Sequence, residues 1–158
     1  MQLTLIFTGR TKNSYLEEGI EDYFKRIKRY ISFEIKGIPA AKITKNMTEK
    51  EVAIKEGREI MKNIKKDSIV VLLDEGGKEY SSDKFAEWLV NIFNSSKRQL
   101  VFIIGGAYGF SDDVKQRADA SISLSRMTFS HQLVRLIFLE QLYRAFTIIN
   151  HEPYHHGA

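Results

Sequence analysis

A chain of 158 residues with 43% hydrophobic and 28% charged residues can bury one sizeable core but not two. It has no cysteine, which excludes a disulfide framework and a thiolate metal site. The net charge of +4 is uneven: residues 1–66 hold 15 Lys and Arg against 9 Asp and Glu, and the rest hold 9 against 11. That asymmetry suits a polyanionic partner such as RNA, or simply a solvated lysine-rich surface. No apolar run approaches the ~20 residues of a membrane span, and the first residues lack a signal-peptide pattern, so no membrane contact and a cytoplasmic location are expected.

Gln2–Thr8 is apolar and β-rich and reads as a first strand. Ser14-Tyr-Leu-Glu17 has the form of a capping box, after which Leu16, Ile20, Tyr23, Phe24, Ile27 and Tyr30 repeat at helical spacing. Lys25, Arg26, Lys28 and Arg29 crowd the last turns, where they suit the negative helix end. Ser32–Ile38 alternates as a second strand, and residues 39–47 form a small, polar, basic loop. A second capping box, Thr48-Glu-Lys-Glu51, opens a helix to about Lys65, striped with Val52, Ile60, Met61 and Ile64. Residues 68–74 are almost wholly apolar, which predicts a central strand covered on both faces. Residues 74–78 read as a loop, and Ser82 as the cap of a helix bearing Phe85, Trp88, Leu89, Ile92 and Phe93. Residues 100–104 are another apolar strand, ending in Gly105-Gly-Ala-Tyr-Gly109; Ser111-Asp-Asp caps a short helix, and residues 120–124 are a fifth strand. Alternating strands and helices, with no repeat or linker, predict a single α/β domain over residues 1–158 around a largely parallel sheet.

From Ile122 to Phe146 the chain passes from strand through polar turn to long helix. Leu133, Val134, Ile137, Phe138, Leu142, Ala145, Phe146 and Ile149 mark a buried face there, and Ser130 is placed as the N-cap. Packing does not account for the polar residues carried along: His131 with Arg135, and Glu140 with Arg144, each four apart on one helix face. The run Leu136-Ile-Phe-Leu139 is apolar all round, which predicts a homodimer contact through Leu136, Phe138 and Leu139. The chain then closes on His151-Glu-Pro-Tyr-His-His156, so all four histidines fall in the last 28 residues.

Gly105-Gly-Ala-Tyr-Gly109 lies between a buried strand and a helix, where α/β folds bind ligands and glycines let backbone amides approach. Its G-G-x-x-G spacing is neither a dinucleotide fingerprint nor a P-loop, and it reads equally as a tight turn or a ligand loop. Asp74 and Glu75 fit hydrogen-bond acceptors or turn formers better than metal ligands, because only distant histidines are on offer; no metal is expected. The histidine-rich end is open to three readings: a disordered tail, a transition-metal site, or a catalytic and RNA-contacting segment. No G-x-S-x-G appears, and no serine nucleophile is favoured.

Several of these stretches carry a resemblance over essentially the whole chain. They are Ile6-Phe-Thr-Gly-Arg10, Val71-Leu-Leu-Asp74 with Gly77-Lys78, and Phe102-Ile-Ile-Gly-Gly-Ala-Tyr-Gly109. Leu124-Ser-Arg-Met-Thr-Phe-Ser-His131 follows, then Arg135, Glu140-Gln-Leu-Tyr-Arg-Ala-Phe146 and Pro153-Tyr-His155. In this order they resemble the bacterial ribosomal RNA large subunit methyltransferase H family, SPOUT-class enzymes that methylate N3 of a pseudouridine in 23S rRNA. The resemblance implies a SPOUT-type α/β knot, in which the C-terminal segment threads a loop as a deep trefoil, a rare exception among folds. It implies a homodimer that binds S-adenosyl-L-methionine and acts on the ribosome. It assigns Leu73, Gly105, Leu124, Ser125, Arg126, Met127, Thr128 and Phe129 to the cofactor, and Glu140, Arg144, Tyr154 and His155 to the target base. By side-chain type, a histidine can take a proton near neutral pH and an arginine can hold a base carbonyl or a phosphate. Position 156 departs from the family, which usually carries Arg or Lys there. The rival expectations are a non-enzymatic ribosomal RNA-binding protein and a metal-dependent hydrolase built on the histidine end.

Overall fold

The computed structural model describes residues 1–156. Its strands are β1 (Gln2–Thr8), β2 (Ser32–Ile38), β3 (Ile69–Glu79), β4 (Gln99–Ile104) and β5 (Ala120–Ser123). Its helices are α1 (Ser14–Ile27), α2 (Glu49–Lys62), α3 (Ser82–Phe93), α4 (Asp112–Arg117) and α5 (Leu133–Ile149). All strand pairs are parallel, in the order β2-β1-β4-β3-β5. Because both faces are covered, β3 and β4 need no polar alternation, and Val70, Val71, Leu100, Val101, Phe102 and Ile103 are fully buried. One face packs Leu3, Leu5, Phe102 and Phe138 under α1, α3 and α5; the other packs Ile6, Val70, Ile103 and Val114 under α2 and α4.

Each helix runs back against the strand before it, so the loops that follow the strands gather at one edge of the sheet. This C-terminal edge is where parallel sheets place ligands. Helices α1 and α5 lie side by side and run the same way: Gly19 faces Leu136, Tyr23 faces Tyr143, and Tyr30 stacks on Phe146.

The Thr48–Glu51 box forms in both directions, at 3.2 and 2.7 Å. The expected box at Ser14 does not. Helix α1 starts at Ser14 itself, with Asn13 as its N-cap and no side-chain cap bond. Helix α3 is capped by Ser81, whose hydroxyl accepts from the Lys84 amide, while Ser82 lies one residue inside and bonds Gln141. The N-cap of α5 is Gln132, without a side-chain cap bond, and not the expected Ser130, which instead caps the preceding turn by accepting from the Leu133 amide at 3.2 Å.

Residues 74–78 depart most from expectation. They continue β3 rather than forming a loop: pairing with β5 runs to Leu73–Ile122, breaks register, and resumes at Lys78–Ile122 and Glu79–Ser123. Gly77 crosses so near β5 that a Cβ there would lie 2.6 Å from the Ile122 backbone nitrogen. The dimer contact through Phe138 and Leu139 is also corrected, since both are fully buried in this chain's own core. Helix α5 is apolar all round because α1 and α3 cover its flanks. No helix among the described residues is long and apolar enough to cross a membrane.

Candidate active site

The end of one strand and two loops at the C-terminal edge enclose a cleft of about 470 Å³. The end of β3 contributes Leu73, Asp74 and Glu75; the loop after β4 contributes Gly105, Gly106, Ala107 and Gly109; the segment after β5 contributes Leu124, Ser125, Met127, Thr128, Phe129, Ser130 and His131. Ile104, Ile122 and Val134 complete its walls, which mix apolar and polar surface. The glycine loop closes on itself through a Gly106–Gly109 bridge, and Gly109 takes the left-handed φ of +73° that glycine tolerates without strain. A Cβ at Gly105 would lie 3.1 Å from the Gly109 carbonyl oxygen and 3.2 Å from Phe110, so a side chain there would crowd the turn.

The segment after β5 is built by short polar bonds. Ser123 donates to the Ser125 carbonyl at 2.8 Å, the Ser125 hydroxyl accepts from the Met127 amide at 2.9 Å, and Thr128 donates to Glu75 at 2.6 Å. That last bond ties the β3 and β5 sides of the cleft together. Arg126 stands outside the lining: its side chain is exposed and lies 3.3 Å from Glu79.

Glu140, Arg144, Tyr154 and His155 come together elsewhere. Arg144 donates to Glu140 Oε1 from Nε at 3.1 Å and from Nη2 at 2.6 Å, and its guanidinium lies 4.9 Å from the Tyr154 ring centre. Tyr154 donates to the same Glu140 oxygen at 3.1 Å. Gln141 holds the other at 2.7 Å, so this carboxylate is saturated. Burial, with help from Tyr23 and Glu140, raises the Tyr154 pKa well above the usual phenol range, which keeps the hydroxyl a donor. The Glu140 contact likewise raises the pKa of Arg144. Arg144 Nη1 lies 3.4 Å from His155 Nδ1, and since a guanidinium only donates, Nδ1 is the acceptor in that contact. His155 Nε2 lies 3.5 Å from Asp83 Oδ2 and makes no hydrogen bond.

None of these four residues lines the cleft. Val134 touches it, and Arg144, ten residues on, lies roughly 15 Å further along α5 at the ordinary helical rise. Around the cluster lie Tyr23, whose hydroxyl is 3.3 Å from that of Tyr154, and Tyr143, packed edge-on to Tyr154. Arg26 lies 5.6 Å from the Tyr143 ring.

Two ionisable groups near the cleft are buried: Glu56, which no sequence pattern marked, and Arg135, whose spacing from His131 was visible but whose burial was not. Glu56 on α2 is 6% exposed. Its Oε1 accepts from the Ala41 amide at 3.3 Å, while Oε2 has no partner and sits where a Gly106 Cβ would fall. Burial raises its pKa, opposed by the Ala41 bond. Arg135 is fully buried, and burial pushes its pKa down to about 10. Burial, and then the charges of Arg135 and Lys12, lower the pKa of His131. Among the described residues, no three His, Cys, Asp or Glu side chains are grouped to hold a metal ion.

A parallel α/β sheet with a glycine-walled cleft at its C-terminal edge is an architecture of ligand-binding enzymes. A family model described as "Predicted SPOUT methyltransferase" matches residues 1–155, and the chain belongs to that family. It is 50% identical over 156 residues to the ribosomal RNA large subunit methyltransferase H of Christiangramia forsetii, covering 99% of both chains. The proteins of the same name from Phocaeicola vulgatus and Flavobacterium johnsoniae are 49% and 48% identical, again over 99% of each chain.

Proposed function

We propose that this protein transfers a methyl group from S-adenosyl-L-methionine to N3 of a pseudouridine in 23S rRNA of the large ribosomal subunit. The observation that carries this reading is spatial. Leu73, Gly105, Leu124, Ser125, Met127, Thr128 and Phe129, implied for the cofactor by resemblance, fall around one cleft although three separate segments of the chain supply them. The cleft also fits the ligand: apolar side chains such as Leu73, Ile104 and Leu124 suit an adenine ring, and close-approaching backbone suits its polar edges. The bound cofactor supplies a methyl group that is already electrophilic, so the chain must position the base and dispose of its N3 proton. Arg144, fixed by two bonds to Glu140, holds a carbonyl of the base or its phosphate. Tyr154 offers an aromatic face beside it. His155 Nδ1 is placed to accept the N3 proton once the base takes over its Arg144 contact.

Because the cluster and the cleft lie at different points along α5, the reading includes a homodimer in which one chain's cluster serves its partner's cleft. The family's trefoil knot fits the double pairing of β3 around β5, with Gly77 at the crossing. Work on ribosomes would place the protein in the cytoplasm. The test is transfer of labelled methyl from S-adenosyl-L-methionine to ribosomes, with the RNA product mapped. The expected label sits on one pseudouridine of the large-subunit RNA. Ribosome binding without cofactor binding would leave a non-enzymatic RNA-binding protein instead.

A further inference from the structure

Arg135 presents a charge imbalance that the proposed chemistry does not use. Its guanidinium lies 4.1 Å from the Phe7 ring centre, donates to the Thr8 carbonyl at 2.6 Å and to the Thr11 hydroxyl at 2.9 Å, and leaves Nε without a partner. Among the described residues no carboxylate lies within 4.0 Å of it. Burying a cation without an anion is costly, so the arrangement demands a compensating use.

The Thr11 bond reaches into the loop of residues 9–13, and the Thr8 bond holds the strand end that leads into it. The Lys12 amide adds a third tie, to Gln132 Oε1 at 2.7 Å. This loop, which follows β1 at the C-terminal edge, is thereby clamped to the start of α5, beside the cleft-lining His131 and Val134. The clamp displays Arg10 and Lys12, both exposed and neither paired with a carboxylate among the described residues. Gly9 abuts Ala40, so the loop of residues 39–47, with exposed Lys42 and Lys45, joins the same rim. The basic end of α1 is different. Lys25 and Arg26 are paired with Glu21 and Asp22 at 3.3 and 2.9 Å, and α1 ends at the opposite edge of the sheet.

We propose that residues 9–13 form a phosphate-gripping edge of the substrate site: Arg10 and Lys12 engage the rRNA backbone beside the cleft, and Arg135 is the positioning residue that holds them there. This rests on the methyltransfer reading and adds a substrate contact to it. Backbone contacts of this kind fix register and make affinity salt-dependent without reading sequence.

The test compares Arg10→Glu/Lys12→Glu with Lys97→Glu/Arg98→Glu, an equal charge reversal just before β4 at the opposite edge. The first pair is expected to raise KM for ribosomes tenfold or more, with kcat and affinity for S-adenosylhomocysteine unchanged. Its log–log salt dependence should be shallower by about 1 to 2. The control pair should change neither quantity. Arg135→Lys keeps the charge but loses the two-pronged grip, and should raise KM in the same way while the thermal melt still reports a folded protein. Equal KM and salt slope in both reversals would overturn the proposal. So would a loss of S-adenosylhomocysteine affinity with ribosome KM intact, which would assign these cations to the cofactor's carboxylate. Filter binding of large-subunit rRNA reads the same contact without turnover, so a protein that binds through this edge but never methylates would sink the reaction and not the edge.

Discussion

Arg144→Ala is expected to lower methyl transfer to ribosomes roughly a hundred- to a thousandfold, the range seen when a preorganised hydrogen-bond donor is removed from an active site. Affinity for S-adenosylhomocysteine should not change, because Arg144 does not line the cleft. The effect is large because Arg144 is the hub of its cluster: it binds Glu140 twice, approaches His155 Nδ1 and covers the Tyr154 ring. Removing it leaves the part-buried Glu140 carboxylate with only Tyr154 and Gln141 as donors. Arg144→Lys should rescue little, since an ammonium cannot reproduce the two-pronged contact with Glu140 while also facing His155. Single-turnover rates with cofactor saturating check this. A rate within tenfold of the unmodified enzyme would remove Arg144 from the chemistry.

Gly77→Val is expected to cost ~3 kcal/mol or more, a large part of the stability of an ordinary domain. Its Cβ would meet the Ile122 nitrogen and carbonyl carbon at 2.6 Å and the Ser121 carbonyl carbon at 2.7 Å. These are backbone atoms of a paired strand, which cannot swing aside as a flexible side chain would. Gly76 is the internal control, because a Cβ there meets only the Asp74 carboxylate at 3.2 Å. Urea midpoints should therefore fall sharply for Gly77→Val and little for Gly76→Ala. Similar midpoints for the two variants would mean that the β3–β5 crossing tolerates side chains.

Much of the framework was legible because it depends on local chemistry. The apolar runs in β3 and β4 read as strands, the first of them covered on both faces, and Thr48 to Glu51 formed its box. Serine caps slipped by a residue, as at Ser82, because neighbouring hydroxyls compete for the same amides. Residues 74–78 misled because Asp-Glu-Gly-Gly is turn chemistry, whereas their strand pairing is imposed by β5, more than forty residues later in the chain. The Glu140–Arg144 pair was visible from its spacing. Its partner Tyr23 was not, being 131 residues from the Tyr154 hydroxyl it meets. Glu56 was hidden, and so was the burial of Arg135, for a general reason: charged residues in a helix read as surface, and only tertiary packing reveals that they are buried. Nor could spacing reveal that the cluster and the cleft lie apart on α5.

That separation makes subunit complementation the most direct test. Gly105→Val should disable the cleft by forcing its side chain against Gly109 and Phe110. Arg144→Ala should disable the cluster. Each homodimer should then be nearly inactive on ribosomes, while mixed dimers carry one intact cleft facing one intact cluster. Unfolding and refolding the two variants together should restore methyl transfer. If mixed dimers form, as mass spectrometry would register, and transfer stays at the level of the separate variants, cleft and cluster do not combine across subunits and the account fails.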